Sequence, residues 1–198
     1  MDIRSQNEAI VQGLLACAKK LYALKYEMSN GGNMSARVPG TDYMIVKGTN
    51  VSFGDVTVDS LVVTDFDGNV IEGTIKPSKE ALLHGALYRA FPDVQAIMHC
   101  HSPFATAWAA NHDELAFSTY HSAIKLKNHC PVFDAHSYVV PTDYFPTILE
   151  DIARHPGMNS FILKAHGQVT LSSKSIEDAT NTAELVEETA MIALLAAL

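Results

Sequence analysis

The chain has 198 residues, 47% of them hydrophobic, and a formal net charge of -8 at pH 7. This length is enough for one sizeable core, so we expect a single domain over residues 1–198. Acidic and basic residues are interspersed and do not form blocks. This pattern argues against a nucleic-acid partner and against a basic surface that docks on membranes.

The cysteines and the N-terminal segment indicate the compartment. The three cysteines are an odd and sparse set without a Cys-x-x-Cys pair, which is typical of a reducing environment. The N-terminal segment carries charges throughout and lacks the apolar stretch of a signal peptide, and no apolar run approaches membrane-spanning length. We therefore expect a cytoplasmic protein without a membrane segment.

The first part of the chain predicts one helix and then a meander of strands. Apolar residues recur at helical spacing over 6–27, which indicates an amphipathic helix. Segments rich in β-branched residues follow at 42–48, 59–65 and 68–74. Asp67 and Gly68 lie between the last two segments and form a strong hairpin turn signal.

The second part of the chain mixes helices and strands. Helical patterns occur at 76–93, 102–111, 143–156 and 175–198, and strand patterns occur at 94–101 and 160–167. Strand–helix–strand units do not repeat regularly. The order of elements therefore favours an α/β or α+β sheet with helices on its faces over a doubly wound fold.

Two of the predicted strands end in histidines. Successive strand side chains alternate between faces, so His99 and His101 share one face, with Cα atoms about 6.5–7 Å apart. An isolated His-x-His pair is more often two polar residues at a strand end than a metal site. The strand at 160–167, however, also reaches a histidine, His166. Three imidazoles could form a catalytic zinc site with one position open for water or substrate.

Four motifs in order, GGNMSAR, IKPSKE, MHCHS and KAHGQV, resemble the class II aldolase and ribulose-phosphate epimerase superfamily. The resemblance implies an α/β domain with a central, largely antiparallel β-sheet flanked by helices. It also implies C4 homotetramers with active sites between neighbouring subunits. His99, His101 and His166 would hold a divalent metal, usually Zn²⁺, and Glu80 would cap the metal or act as a base. Imidazole ligands also accept Mn²⁺ or Co²⁺.

The same resemblance predicts a site for the phosphate of a small phosphorylated sugar. Asn33 matches a residue that binds the phosphate or the enediol, and the backbone of the preceding Gly32 can approach a ligand closely. Thr49 matches the hydroxyl position of the phosphate loop, although Gly48 and Asn50 replace the more usual proline and glycine. Further candidate contacts are Lys47, which would otherwise be an exposed strand lysine, Ser78, which begins a helix, and Lys79, which could equally be solvated.

These residues predict an enzyme, a metal-dependent class II aldolase and thus a carbon–carbon lyase. It would cleave a small ketose phosphate reversibly to dihydroxyacetone phosphate and a short aldehyde through a metal-stabilised enediolate. Glu80 would be the acid/base. Tyr120 matches the proton-donating tyrosine that the aldolases contribute across a subunit boundary.

Other reactions of the superfamily stay open as alternatives. They are sugar-phosphate 4-epimerisation, sugar-acid phosphate decarboxylation and methylthioribulose-phosphate dehydration. An epimerase would carry aspartate at Glu80 and another aspartate within 115–133, where this chain has none. Aldolases and epimerases also use a tyrosine near the C-terminus, but no tyrosine follows Tyr144. A non-catalytic, adducin-like module is disfavoured because all three histidines and the acid are present.

Overall fold

A central β-sheet organises the protein in this computed structural model, which describes residues 2–127 and 129–197. Met1 and Leu198, the ends of the expected domain, lie outside the described residues, as does Asn128. The strands are β1 (Asn33–Arg37), β2 (Tyr43–Lys47), β3 (Leu61–Asp65), β4 (Val70–Glu72), β5 (Ala96–Cys100), β6 (Val132–Phe133), β7 (Ser160–Leu163) and β8 (Gly167–Ser172). Their order across the sheet is β4-β3-β2-β1-β5-β8-β7-β6. Among these strands, all neighbouring pairs are antiparallel except β6 and β7.

Helices cover both faces of the sheet. They are α1 (Ile3–Gln6), α2 (Glu8–Ala23), α3 (Ala81–Ala90), α4 (Pro103–Ala109), α5 (Tyr120–Lys125), α6 (Phe145–Arg154) and α7 (Ile176–Ala196). One buried cluster joins α2 and α7 to one face of the sheet, and a second joins α3 and α6 to the other face. The expected α/β architecture, with a largely antiparallel sheet flanked by helices, is confirmed. Within the described ranges, no helix combines the length and apolarity that crossing a bilayer requires.

The elements of the first half differ from expectation at their edges. The helix predicted over 6–27 corresponds to α2, which ends at Ala23, and the single turn α1 precedes it. Lys25 then adopts a positive φ of 62°, so the chain turns before the expected end of the helix. The hairpin between β3 and β4 is confirmed, and Gly68 supplies the φ of 81° that its turn requires.

Strands β1 and β8 were not predicted, although they are the two neighbours of β5 in the sheet. Both are almost entirely buried but carry polar side chains, so neither shows a continuous apolar run. The hydroxyl of Ser35 in β1 lies 2.8 Å from Nδ1 of His84 and 2.9 Å from the Tyr88 hydroxyl. The hydroxyl of Thr170 in β8 donates to the Ala179 carbonyl. These internal hydrogen bonds allow polar residues to lie in the central strands.

Candidate metal centre

Strand register brings the three histidines of the sequence motifs to one edge of the sheet. His99 lies in β5, and His101 follows one residue after the end of that strand. Strand β8 pairs antiparallel with β5 and places Gln168 opposite Cys100. The chain before Gln168 therefore runs alongside His101. His166 lies in that stretch, in the tight connection from β7 to β8.

The ring nitrogens of these histidines converge. The Nε2 atom of His99 lies 3.2 Å from Nε2 of His101 and 3.3 Å from Nε2 of His166. Two nitrogens bound tetrahedrally to one zinc ion are separated by about 3.3 Å, given Zn–N bonds of about 2.0–2.1 Å. The three nitrogens together lie within 4.8 Å of one another. This spacing fits a single divalent ion with a position left for another ligand.

Hydrogen bonds on the far side of the rings select the tautomer that a metal needs. The Nδ1 atom of His99 lies 2.8 Å from the backbone carbonyl oxygen of Gln168. Because a carbonyl only accepts, Nδ1 carries the proton and Nε2 presents its lone pair to the cluster. The Nδ1 atom of His101 lies 3.4 Å from Oε2 of Glu27, so a carboxylate lies beside this ring on the side away from the cluster.

Burial keeps the imidazoles of His99 and His166 neutral. It lowers the pKa of His99 to about 3, and the neighbouring His101 adds to the effect. Burial also lowers the pKa of His166 to about 4, with His99 as the next contribution. Neutral imidazole is the form that binds a metal, so no proton must leave either ring at neutral pH.

Glu80 reaches the cluster from α3. It is the N-cap residue of that helix, because α3 begins at Ala81, later than the helical pattern expected over 76–93. Its Oε2 atom lies 3.2 Å from Nε2 of His99 and accepts a 2.9 Å hydrogen bond from the amide of Asn33. Burial raises the pKa of Glu80, whereas His166 and Asn33 act in the opposite direction.

Several polar atoms around the cluster lack a partner within the protein. Among the described residues, the buried side-chain atoms without a hydrogen bond include Asn33 Oδ1, Glu80 Oε1 and His166 Nδ1. Buried polar groups are normally satisfied, so an unpaired group of this kind indicates that an ion, water or ligand binds here. Together with the imidazole spacing, these atoms fit a resident metal and its substrate.

Glu27 is the site residue that the sequence analysis missed. It is only 2% exposed, and its Oε2 atom accepts the backbone N–H of His101 at 3.0 Å. The close approach needs glycine, because a Cβ at Gly32 would lie 2.6 Å from that oxygen and Gly32 has a φ of 57°. The available signal was a carboxylate shortly before two adjacent glycines, which is a weak pattern by itself.

The predicted phosphate segments lie side by side. The backbone N–H of Ser78 donates to the Lys47 carbonyl at 3.0 Å, and the N–H of Thr49 donates to the Lys76 carbonyl at 2.9 Å. The backbone amide of Ser78 is therefore already used, which leaves its hydroxyl for an anion. Lys79 is exposed, and its ammonium lies 3.4 Å from the Tyr138 hydroxyl.

Lys47 is not an exposed strand lysine. The side chain is 1% exposed, its ammonium donates to the Val51 carbonyl, and it lies 5.6 Å from the centre of the Phe53 ring. Burial lowers its pKa to about 8, opposed by the negative charge of Glu27. Lys47 therefore changes charge close to physiological pH.

Among the described residues, no hydrogen bond or ion pair joins Tyr120 to the histidine cluster. It is the first residue of α5, and its side chain is 92% exposed. Helix α5 packs on α7, whereas Glu80 is surrounded by Asn33 and the histidines. A catalytic role for Tyr120 thus stays a prediction that requires a neighbouring subunit.

Comparisons with known proteins agree on one family. The family described as "Class II Aldolase and Adducin N-terminal domain" matches residues 12–194. An L-fuculose phosphate aldolase from Methanococcus maripaludis is 31% identical over 175 residues, which cover 87% of this chain and 89% of the relative. A 3-oxo-tetronate 4-phosphate decarboxylase from Haemophilus influenzae is 32% identical over 195 residues, covering 95% and 86% of the two chains.

A solved structure gives the same result for the fold. The structure of an L-fuculose 1-phosphate aldolase superposes with a TM-score of 0.83 at 26% identity, covering 95% of this chain and 86% of that chain. The family match spans residues 12–194, which is nearly all of the sequence. The chain therefore belongs to the class II aldolase and adducin N-terminal domain family.

Proposed function

We propose that this protein is a metal-dependent aldolase that cleaves a small ketose phosphate reversibly to dihydroxyacetone phosphate and a short aldehyde. One observation carries the proposal. Three imidazole Nε2 atoms lie within 4.8 Å of one another, and a buried carboxylate oxygen, Oε2 of Glu80, lies 3.2 Å from one of them. This arrangement supports a metal site with an acid/base group beside it.

The ligands in this proposal are His99, His101 and His166, and the ion is Zn²⁺ or another divalent transition metal such as Mn²⁺ or Co²⁺. When bound, the ion would supply Lewis-acid polarisation of the substrate's carbonyl and of the hydroxyl next to it. The carbonyl of Gln168 and the carboxylate of Glu27 hold two of the rings in the required tautomer.

Glu80 moves the proton on carbon. In the direction of synthesis, it removes a proton from the hydroxymethyl carbon of dihydroxyacetone phosphate, and the electron pair passes into the adjacent carbonyl system. In the direction of cleavage, it returns that proton. Burial raises the pKa of Glu80, which suits a group that must both accept and donate near neutral pH. Asn33 orients the carboxylate through its 2.9 Å hydrogen bond.

The second proton transfer belongs to Tyr120 of a neighbouring copy in a C4 homotetramer. Its hydroxyl donates to the aldehyde oxygen during synthesis and accepts the same proton during cleavage. Its 92% exposure in the single chain supports a role outside its own subunit. Ile124, one helical turn further along α5, is exposed as well, which supports burial of this surface on assembly. The cytoplasm is the proposed location of this assembly.

The phosphate of the substrate lies between the segments around Thr49 and Ser78. Backbone hydrogen bonds hold these segments together, and each offers a hydroxyl. Lys47 supplies positive charge from beneath the loop, and Lys79 supplies it from the exposed side. Gly32 keeps the backbone close to Glu27 and to His99, so its contribution to substrate binding is to permit that packing.

Decarboxylation of a sugar-acid phosphate is the second candidate. A decarboxylase from Haemophilus influenzae matches 95% of this chain at 32% identity, similar to the aldolase relatives. The same metal ligands would serve, and the exposed ammonium of Lys79 would pair with the substrate carboxylate. Epimerisation and dehydration would use the same metal ligands, although an epimerase would carry aspartate at Glu80, so the product is the direct test.

A substrate panel tests the proposal. The zinc-loaded protein is incubated with phosphorylated ketoses and phosphorylated sugar acids, and the products are scored as triose phosphate, epimer, carbon dioxide or dehydrated sugar. We expect triose phosphate from a ketose phosphate, and we expect its loss in His99→Ala. Carbon dioxide as the main product would replace the aldolase by the decarboxylase. Turnover that persists in His99→Ala would reject metal-dependent chemistry altogether.

A further inference from the structure

A second group of metal-ligating side chains lies away from the candidate active site. His129, Asp151 and His155 each offer a ligand atom, and these atoms lie within 4.8 Å of one another. His129 precedes β6, and His155 precedes β7. These two strands are parallel, and the chain reaches His166 only after the far end of β7. The second group therefore lies at the opposite end of the sheet from the first.

Backbone pairing fixes the position of His129. The N–H of Leu115 donates to the Cys130 carbonyl at 2.9 Å, and the N–H of Val132 donates to the Asp113 carbonyl at 2.8 Å. This short ladder places Oε1 of Glu114 3.2 Å from Nδ1 of His129. The Nδ1 proton donated to that carboxylate leaves Nε2 of His129 as a potential ligand.

Helix α6 and its C-cap residue supply the other two side chains. Asp151 and His155 are one helical turn apart, so they lie on the same face. Nδ1 of His155 lies 2.9 Å from the backbone carbonyl of Asp151, which can only accept, so Nδ1 carries the proton and Nε2 is the nitrogen with the lone pair. In each of these histidines Nδ1 faces an acceptor, which leaves Nε2 as the candidate ligand atom.

The three side chains are in contact, with Nδ1 of His155 3.5 Å from Oδ1 of Asp151. Nε2 of His129 lies 2.9 Å from Oδ2 of Asp151, and the His129 and His155 rings have centroids 3.7 Å apart. The other carboxylate oxygen, Oδ1 of Asp151, is held at 3.3 Å by the guanidinium of Arg154, which orients the carboxylate. Two imidazoles and one carboxylate are a donor set that suits zinc.

We propose that His129, Asp151 and His155 form a second divalent metal site, selective for zinc-like ions and separate from the active site. The ion would join α6 to the β6 edge of the sheet. Its fourth position faces solvent, since His155 is 42% exposed. The charge balance also favours a cation, because Glu114 and Asp151 bring two carboxylates to the group while Arg154 is 69% exposed. Zinc binding here should stabilise the fold, since the ligands come together only in the folded chain.

Metal stoichiometry distinguishes the two sites. The purified full chain is dialysed against buffered Zn²⁺, and bound zinc per chain is measured by elemental analysis. We expect two equivalents in the parent protein and one in His155→Ala and in Asp151→Asn. The matched control is His136→Ala, which removes a histidine that is 86% exposed and paired with Asp134. It should keep both equivalents. His99→Ala should also keep one, because it damages only the active site.

Stability gives an independent measurement. Zinc should raise the melting temperature of His99→Ala but not that of the double variant His99→Ala/His155→Ala. The zinc affinity of the second site should fall in His155→Ala by at least the roughly tenfold to hundredfold that loss of an outer partner costs a metal site. One equivalent of zinc in the parent protein, or two in both single variants, would overturn the proposal. In that case the group would be an imidazolium held between Glu114 and Asp151.

Discussion

Glu27 and His101 are joined at two points. Oε2 of Glu27 accepts the backbone N–H of His101 at 3.0 Å and lies 3.4 Å from Nδ1 of the same residue. The buried carboxylate thus fixes both the backbone and the ring of a proposed metal ligand. It does so from the turn that follows α2, 74 residues earlier in the chain.

Glu27→Gln should weaken metal binding. The amide oxygen can still accept the backbone N–H, but it is a weaker acceptor for the ring proton, so the tautomer and basicity of His101 are less well controlled. We expect a fall in zinc affinity of about tenfold to hundredfold, measured by competition with a chelator. Glu8→Gln, on the exposed side of α2, is the matched control and should leave the affinity unchanged.

A comparison of melting temperatures completes this test. The metal-free forms of Glu27→Gln and of the parent protein should melt within a few degrees of each other, since a hydrogen-bonding side chain of the same size is kept. Unchanged zinc affinity in Glu27→Gln would remove Glu27 from any positioning role. A large loss of metal-free stability would show that Glu27 acts on the fold.

His99→Ala and Glu80→Gln should separate metal binding from proton transfer. His99 is the ring whose Nε2 lies within 3.3 Å of both other imidazoles, so its removal should abolish tight metal retention. Glu80→Gln should keep the metal on three imidazoles. We expect it to lose exchange of the carbon-bound proton of dihydroxyacetone phosphate with deuterated water by about 10²–10⁴-fold, measured by NMR. Exchange at the parent rate in Glu80→Gln would take the base role from Glu80.

The charge of Lys47 should set the pH dependence of phosphate binding. Burial lowers its pKa to about 8, so the ammonium is charged below that pH and neutral above it. Inhibition by inorganic phosphate should therefore weaken by about tenfold as the pH rises through this pKa, as expected from loss of a charge-assisted hydrogen bond. Lys47→Arg stays charged over the whole range and should show no such decline. A parallel decline in Lys47→Arg would assign the titration to another group.

Subunit mixing should test Tyr120. Tyr120→Phe and Glu80→Gln should each be nearly inactive as pure proteins. If one active site combines Tyr120 from one copy with Glu80 from its neighbour, unfolding and refolding the two variants together should restore part of the activity. Tyr138→Phe is a matched control, because Tyr138 is also largely exposed but contacts Lys79. Mixtures that gain no activity, with tetramers present, would place all catalytic groups in one subunit.

The sequence by itself determined those parts of the site that depend on local periodicity and motif order. The two-residue repeat of a strand places His99 and His101 on one face, and the Asp67-Gly68 turn determines the hairpin of β3 and β4. The order of the motifs also identified Glu80 and His166, and in the folded chain both lie next to His99. These features need no knowledge of distant contacts.

Tertiary structure alone decided the rest, because it depends on partners far along the chain. Strands β1 and β8 were not predicted because they carry polar side chains and so show no continuous apolar run. Those side chains can be buried because residues of α3 and α7 form hydrogen bonds with them. Lys47 reads as an exposed strand lysine until the Val51 carbonyl and Phe53 cover it. Glu27 and the His129 group carry no diagnostic spacing. In both cases only folding brings a carboxylate next to an imidazole.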